Sequence, residues 1–246
     1  MHSQTDRGQK GRLQRAQRAL GRMLDFQKTK ARKFAENGID PTRHLLAKAH
    51  QVRSRLETFQ PIESDTRVLE VGSGAHGLVF FFGASRSVGI DPLAHHYVTL
   101  FPAWQRNVPT VSGFGEALPF PDNSFDLVLS DDGVDYAEDP AAIIAEIKRV
   151  LVPGGKIFFA VNICHPVWNT LGSLREVRDF HTTHISLRRA RDFFRRAGFG
   201  IVWESHDIPE TRALVGKRRE RRFQAWVKSL FYYKARLELI AIKEGR

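Results

Sequence analysis

The 246-residue chain contains 42% hydrophobic and 26% charged residues, an ordinary globular composition that excludes disorder of the whole chain and predicts one α/β domain with additions. Its single cysteine, Cys164, excludes an internal disulfide and a multi-thiolate metal site, and its apolar runs are far shorter than the roughly 20 residues that span a bilayer. The net charge of +11 is divided into +9 over residues 1–60, −7 over 61–160 and +9 over 161–246, which attracts anionic partners without choosing among them.

Cysteine usage and the N-terminal composition indicate where the protein works. A reducing compartment is expected, either the cytoplasm or, because the N-terminus is rich in arginine and poor in acids, an organellar matrix. The two basic segments, residues 7–33 and 212–234, are expected to contact RNA or an anionic membrane surface, or to be solvated helix faces. The sequence does not indicate the oligomeric state.

The first 60 residues are predicted to form a basic helical N-terminal extension. Helical periodicity runs from Asp6 to Phe34 and ends at Asn37-Gly38. A second helix is expected to begin with Asp40 as N-cap and Pro41 at the first helical position. Pro61 ends it.

From residue 61 onward, short apolar runs alternate with helical stretches, which predicts a mainly parallel sheet covered on both faces. The strands are expected at Arg67–Val71, Ser87–Ile90, Pro109–Ser112, Phe125–Leu129, Lys156–Val161, Phe199–Glu204 and Leu237–Ile242. The helices are expected at Leu78–Phe82, Ala141–Leu151 and Ser186–Ala197. Between the last two strands, a basic insertion is expected at about residues 209–234.

A glycine-rich turn follows the first predicted strand. Residues 72–77 read Gly-Ser-Gly-Ala-His-Gly, a G-x-G-x-x-G pattern that brings a ligand close to backbone N–H groups. Asp91 ends the second strand, where a carboxylate accepts hydrogen bonds from ribose hydroxyls. These features fit a nicotinamide dinucleotide and an adenosine-type cofactor equally well.

Charge next to the glycine turn separates the two kinds of cofactor. Glu70 immediately precedes the turn and would repel a pyrophosphate. A cofactor with a positive centre, such as the sulfonium of S-adenosylmethionine, is instead favoured by an acidic rim of Glu70, Asp91 and Asp131. The −7 charge of the central segment agrees with this interpretation.

At these residues the sequence resembles the class I S-adenosylmethionine-dependent methyltransferases, in particular the type 11 group that includes quinone-biosynthesis and sterol enzymes. The matching segments are Val68–Gly74, Gly89–Pro92, Glu116–Val128, Glu146–Gly155 and Ala197–Phe199. The resemblance covers about residues 64–207 in the order that the family has. It implies a Rossmann-like doubly wound sheet of seven strands, the last one antiparallel, within residues 61–246.

The resemblance also implies which residues contact the cofactor. Glu70 and the turn Gly72-Ser73-Gly74 would hold its methionine and ribose parts, Asp91 the ribose hydroxyls, and Pro92 would lie near the adenine. Gly115 and Glu116 would border the adenine ring, and Ser130 is placed in the same site. Many family members have Asp where this chain has Phe114, so the usual carboxylate contact to the adenine is replaced by a side chain that packs on the ring edge.

The methyl acceptor is harder to predict, because transfer to oxygen or nitrogen depends mainly on positioning. His165, Asp131 and Tyr136 are the candidate catalytic residues. Cys164 is interpreted as an inert buried residue. The histidines lack carboxylates at ligand spacing, so no metal site is predicted.

The function predicted from these residues is methyl transfer from S-adenosylmethionine to an oxygen or nitrogen atom of a small acceptor, with lipid-like and anionic molecules as the open classes. One alternative is a tRNA or rRNA methyltransferase that uses the two basic segments. Another is a non-catalytic regulatory or assembly protein that keeps the cofactor fold, an alternative suggested by Phe114 at the position where many family members have Asp.

Overall fold

The computed structural model describes residues 2–134, 137–164, 185–207 and 235–245, with side chains described from residue 17 onward. Two helices precede the sheet, α1 (His2–Asn37) and α2 (Thr42–Glu57). Gly38 follows α1 in the left-handed conformation, with φ of +59°. Pro41 rather than Asp40 is the N-cap of α2, although an Asp40 carboxylate oxygen still accepts a hydrogen bond from the Thr42 N–H at 2.9 Å.

Within the described residues, seven strands form one sheet in the order β3-β2-β1-β4-β5-β7-β6. The strands are β1 (Arg67–Val71), β2 (Arg86–Ile90), β3 (Thr110–Val111), β4 (Phe125–Asp131), β5 (Leu151–Ile163), β6 (Phe199–Asp207) and β7 (Ala235–Lys243). Strands β1 to β5 pair in parallel, whereas β7 lies antiparallel between β5 and β6. The predicted doubly wound sheet with an antiparallel last strand is confirmed.

The helices after β1 cover both faces of this sheet. They are a short 3-10 helix (Leu78–Phe81), α3 (Ala94–Leu100), α4 (Pro102–Gln105), α5 (Pro140–Val150) and α6 (Leu187–Ala197). The carboxylate of Asp139 caps α5 by accepting hydrogen bonds from the Ala141 and Ala142 N–H groups, at 3.0 and 3.1 Å. α6 begins after the N-cap Ser186 and ends at Gly198, which is left-handed with φ of +72°.

Two parts of the fold differ from the sequence-based expectation. Strand β5 is longer than predicted, because the turn Pro153-Gly154-Gly155 lies inside it and is accommodated by a shift of register against β4. Helices α3 and α4 were not predicted, since each is short and Pro102 separates their apolar residues into two turns.

The central strands are buried on both faces, as in other parallel sheets. Consecutive residues therefore pack against different helices: Val68 and Phe158 contact the cluster of α2 and the 3-10 helix, whereas Leu69 and Phe159 contact the cluster of α5 and α6. With both faces covered, the carboxyl edge of the sheet is where functional side chains are expected. Among the described helices, none is long and apolar enough to cross a bilayer.

Candidate functional site

A cavity of about 1120 Å³ opens at the carboxyl edge of the sheet. The ends of β1, β2 and β4 and the segments that follow them form its floor, and residues of α1 and α2 form a further wall. Because the carboxyl ends of parallel strands meet at one edge, Gly72, Asp91 and Asp131 lie in one site although they are far apart in sequence.

The glycine turn after β1 is held against the segment after β4. Gly72 has φ of +75°, and a Cβ atom there would lie 2.5 Å from the Cα of Gly133. A Cβ on Gly133 would in turn lie 2.6 Å from the Val71 carbonyl oxygen. By contrast, a Cβ on Gly74 would meet nothing closer than 3.9 Å. The first glycine of the turn therefore serves close backbone packing, while the second leaves open space beside the cavity.

Glu70 is buried beneath the glycine turn and is bound by the backbone that follows the turn. Its side chain is 1% exposed, and its two carboxylate oxygens accept hydrogen bonds from the Leu78 and Val79 N–H groups at 3.1 and 2.8 Å. Burial, assisted by the negative charge of Asp131 and opposed by these hydrogen bonds, raises the pKa of Glu70 to about 8. A Cβ on Gly77 would lie 2.4 Å from a Glu70 oxygen, so the third glycine of the motif makes room for this carboxylate.

Asp91 joins the glycine turn to the end of β2. One carboxylate oxygen accepts a hydrogen bond from the Gly74 N–H at 3.1 Å, and the other accepts from the Leu93 N–H at 2.8 Å. Burial raises the pKa of Asp91 to about 6, although both hydrogen bonds act to lower it. A carboxylate is thus fixed beside the open space at Gly74.

Two side chains of α4 hold the glycine turn from outside the cavity. The indole N–H of Trp104 donates to the Ala75 carbonyl at 2.7 Å, and the side-chain amide of Gln105 donates to the Gly74 carbonyl at 2.9 Å. Sequence analysis missed both residues, because a four-residue helix carries no periodic signal.

The family follows from comparison with known proteins. Residues 69–159, which include the glycine turn and Asp91, match the family model described as a methyltransferase domain. Over these residues the chain has a methyltransferase domain. Its cofactor is S-adenosylmethionine.

Curated relatives of this methyltransferase match it over different lengths. The uncharacterized protein YafE of Escherichia coli is 28% identical, over 65% of this chain and 79% of its own length. A malonyl-[acyl-carrier protein] O-methyltransferase of Halorhodospira halophila is 30% identical, over 52% of this chain and 46% of its own. The chain thus spans less than half the length of the second relative.

Solved structures show the same fold. YcgJ of Bacillus subtilis superposes with a TM-score of 0.60 at 20% identity, covering 80% of this chain and all of YcgJ. A methyltransferase of Haloferax volcanii, solved in complex with the Trm112 methyltransferase activator, has a TM-score of 0.60 at 22% identity, covering 91% of this chain and 98% of its own.

Beyond the glycine turn, the methyltransferase places most of the other predicted cofactor residues on the cavity. Pro92, Phe114, Gly115 and Glu116 line it, and Phe114 is 52% exposed. Ser130 is fully buried and lies outside the cavity lining, because strand alternation turns it to the opposite side from Asp131. The contact of Ser130 with the cofactor stays a prediction.

Of the three candidate catalytic residues, Asp131 lies on the cavity, whereas His165 and Tyr136 lie outside the described residues. The carboxylate of Asp131 pairs with Lys48 of α2 and with Arg236 of β7. Two cations from separate elements thus fix this carboxylate in place, an arrangement typical of a positioning group. No local pattern in the sequence predicts either partner.

Asp132 extends the same ion-pair network. Its side chain pairs with Arg236 and accepts a hydrogen bond from the Asn162 amide at 3.0 Å. Its φ of +58° is a strained conformation for a residue other than glycine, and such conformations cluster at functional sites. In the described part of the chain, no group of three or more His, Cys, Asp or Glu side chains is arranged to hold a metal ion.

A Trp104→Phe substitution tests whether α4 supports the glycine turn. Phenylalanine keeps the ring contact with Phe101 but removes the donor to the Ala75 carbonyl, so we expect a loss of about 1–2 kcal/mol in the free energy of unfolding. We also expect weaker binding of S-adenosylmethionine. Urea denaturation and calorimetric titration measure the two effects. The matched control is Trp203→Phe, on β6 and away from the cavity, in which cofactor affinity is expected to stay unchanged. An equal loss of cofactor affinity in both variants would contradict the role of Trp104.

Proposed function

We propose that this methyltransferase transfers a methyl group from S-adenosylmethionine to an oxygen or nitrogen atom of a small acceptor bound in the same cavity. The volume of about 1120 Å³ supports this proposal. Typical ligand sites measure roughly 300–1,000 Å³, so there is room for the cofactor and a small acceptor side by side.

The residues on the cavity floor fit the cofactor. We assign Asp91 to the ribose hydroxyls, because its carboxylate stands beside the open space at Gly74. Glu70 and the glycine turn are assigned to the cationic methionine part, and Pro92 with Gly115 and Glu116 to the borders of the adenine. Phe114, half exposed on the cavity, is assigned to the edge of the adenine ring.

The chain's own contribution to the reaction is positioning and charge. When bound, the cofactor would supply an electrophilic methyl group for a lone pair of the acceptor, with the sulfur retaining the electron pair of the sulfur–methyl bond. Asp131, held by Lys48 and Arg236, is assigned to positioning the acceptor. Where the acceptor must lose a proton, His165 and Tyr136 remain the candidate bases.

Cofactor affinity is expected to depend on pH through the two buried carboxyls. Burial raises the pKa of Asp91 to about 6 and that of Glu70 to about 8. Ribose hydroxyls donate to the ionised form of Asp91, and a sulfonium is attracted by ionised Glu70, so binding favours deprotonation of both. Affinity should therefore rise with pH, first near 6 and again near 8.

Calorimetric titration of S-adenosylmethionine from about pH 5 to pH 9 measures this dependence. Titrations near pH 7 in buffers of different ionisation enthalpy should show protons released on binding, mainly from Glu70. The comparison ligand is adenosine, which has the ribose but no sulfonium and should show only the step near pH 6. An affinity that falls with rising pH would contradict the assignment of both carboxyls.

Turnover is tested with radiolabelled S-adenosylmethionine and separated pools of RNA, lipids and small metabolites from cells. We expect label in the small-metabolite or lipid pool. Calorimetric binding of the cofactor without label in any pool would favour the regulatory or assembly protein instead. No binding of the cofactor at all would reject the proposal.

The RNA methyltransferase alternative is supported by the exposed face of α6. Arg188, Arg189 and Arg196 are exposed there, whereas Arg191 and Arg195 pair with Glu204 and Asp192. The basic segment 212–234 lies outside the described residues. If RNA is the acceptor, log affinity should fall with log salt concentration by roughly 0.7 per phosphate contacted. A salt-independent affinity for the labelled acceptor would exclude it.

A further inference from the structure

The positive and negative side chains that line the cavity come from different parts of the chain. Among the described residues, every arginine or lysine on its wall belongs to α1 or α2. They are Arg18, Arg22 and Lys48. Every carboxylate on its wall lies at the carboxyl end of a strand of the sheet or in the segment that follows one. These are Glu70, Asp91, Glu116, Asp131, Asp132, Glu138 and Asp139. The cavity therefore has an acidic floor at the carboxyl edge of the sheet and a basic wall formed by α1 and α2.

On the basic wall, three residues of α1 form one row. Arg18, Arg22 and Phe26 are four residues apart, so they lie on the same face of the helix, and all three line the cavity. The exposed fraction of Phe26 is 48%. Lys48 is neutralised by Asp131, whereas neither arginine forms an ion pair within the described residues. Two uncompensated guanidinium groups followed by an apolar ring thus face the interior of the cavity.

The row is unfavourable for the helix by itself. Like charges four residues apart destabilise a helix by a few tenths of a kcal/mol. Helix α1 is held on the protein by its other side, where Leu24, Ala31 and Phe34 pack against the cluster around Tyr97 and Phe101. The two arginines of the row are therefore not needed to hold α1 in place, and binding a ligand accounts for two like charges at these positions.

We propose that this row binds the acceptor, and that the acceptor is a small amphiphile with a carboxylate or phosphate group on an apolar body. This inference rests on the proposed function. Guanidinium groups bind both anions through paired hydrogen bonds, and Phe26 contacts the apolar part. The acidic floor repels the anionic end, so the acceptor is oriented with its other end toward the cofactor. Charge sorting in the cavity thus determines both what binds and which way round it lies.

The test is calorimetric titration of the protein saturated with S-adenosylhomocysteine, using four probes of equal chain length: octanoate, octyl phosphate, octanol and octylammonium. We expect the two anions to bind at least about tenfold more tightly than octanol, and octylammonium to bind weakest. Comparison of octanoate with octyl phosphate shows which anion the pair of arginines prefers.

Variants of α1 locate the site. Arg18→Gln/Arg22→Gln should lose about tenfold in affinity for the anions and keep its affinity for octanol. Phe26→Ala should weaken octanoate and octanol alike. The matched control Arg32→Gln/Lys33→Gln removes the same charge from exposed positions of α1 outside the cavity, and should bind all four probes as the unmodified protein does.

Three results would overturn the inference. The first is octanol binding as tightly as the anions, and the second is equal anion affinity in Arg18→Gln/Arg22→Gln and its control. The third is a large loss of S-adenosylmethionine affinity in Arg18→Gln/Arg22→Gln, which would assign the arginines to the cofactor. Failure of the proposed function and failure of this inference are distinguishable. If S-adenosylmethionine does not bind, the proposed function is rejected, and the probe titrations are then repeated without S-adenosylhomocysteine. If S-adenosylmethionine binds but the probes give one of the results above, the acceptor class alone is rejected.

Discussion

Asp91→Asn is expected to lower the affinity for S-adenosylmethionine by about 10- to 100-fold, since hydrogen bonds to charged groups contribute about 1.5–3 kcal/mol. The carboxylate accepts from the Gly74 and Leu93 N–H groups and is assigned to the ribose hydroxyls. An amide has one acceptor oxygen, and its NH₂ group would face an N–H donor. Calorimetric titration measures the loss.

The control for this substitution is Asp65→Asn, the same chemical change in an exposed turn before β1 and away from the cavity. Its cofactor affinity should equal that of the unmodified protein. Asp91→Asn should also lose the increase in affinity near pH 6, which a general loss of stability would not remove. If Asp91→Asn retained both the affinity and the step near pH 6, another group would have to hold the ribose.

Gly72→Ala is expected to destabilise the protein far more than Gly74→Ala. Both positions have positive φ, +75° and +54°, which costs an alanine about 1–2 kcal/mol. At Gly72 the new Cβ would also lie 2.5 Å from the Gly133 Cα, and forcing these backbones apart adds about 1–3 kcal/mol. We therefore expect a loss of about 2–5 kcal/mol for Gly72→Ala and about 1–2 kcal/mol for Gly74→Ala.

Urea denaturation without cofactor measures the difference in the free energy of unfolding. Gly74→Ala is the matched control, because it has the backbone strain without the close contact. Equal destabilisation of the two variants would mean that the contact between Gly72 and Gly133 is relieved by a small shift. In that case the close approach of the segments after β1 and β4 would not be what requires a glycine.

Much of the fold could be predicted because its signals are local. Strand β1 is found at its predicted bounds, since a buried strand next to a glycine turn is an unambiguous pattern. Caps identified α5 and α6, at Asp139 and at Gly198. The antiparallel β7 came from family resemblance, because strand direction leaves no mark in a nine-residue apolar pattern.

The candidate site was predicted in part. Glu70 and Asp91 stand at strand ends, and parallel strands bring their carboxyl ends together, so the spacing of motifs was enough to place them. The burial of Ser130 outside the cavity lining was not predicted, because it depends on the side to which β4 turns each side chain. The support of the glycine turn by Trp104 and Gln105 depends on how α4 packs, which no local pattern records.

By itself the sequence determined the order of the strands and of the longer helices, the glycine turn and its neighbouring carboxylates, because each depends on residues close together in the chain. Only the tertiary structure decided which charged side chains meet at the cavity. It pairs Asp131 with Lys48 and Arg236, and it brings the Arg18, Arg22 and Phe26 row of α1 to the same cavity as the acidic floor. The reason is physical, since the charge and exposure of a site depend on residues that are far apart in sequence and meet only through packing. Helical periodicity predicts which face of a helix is polar, but not which residues lie next to that face.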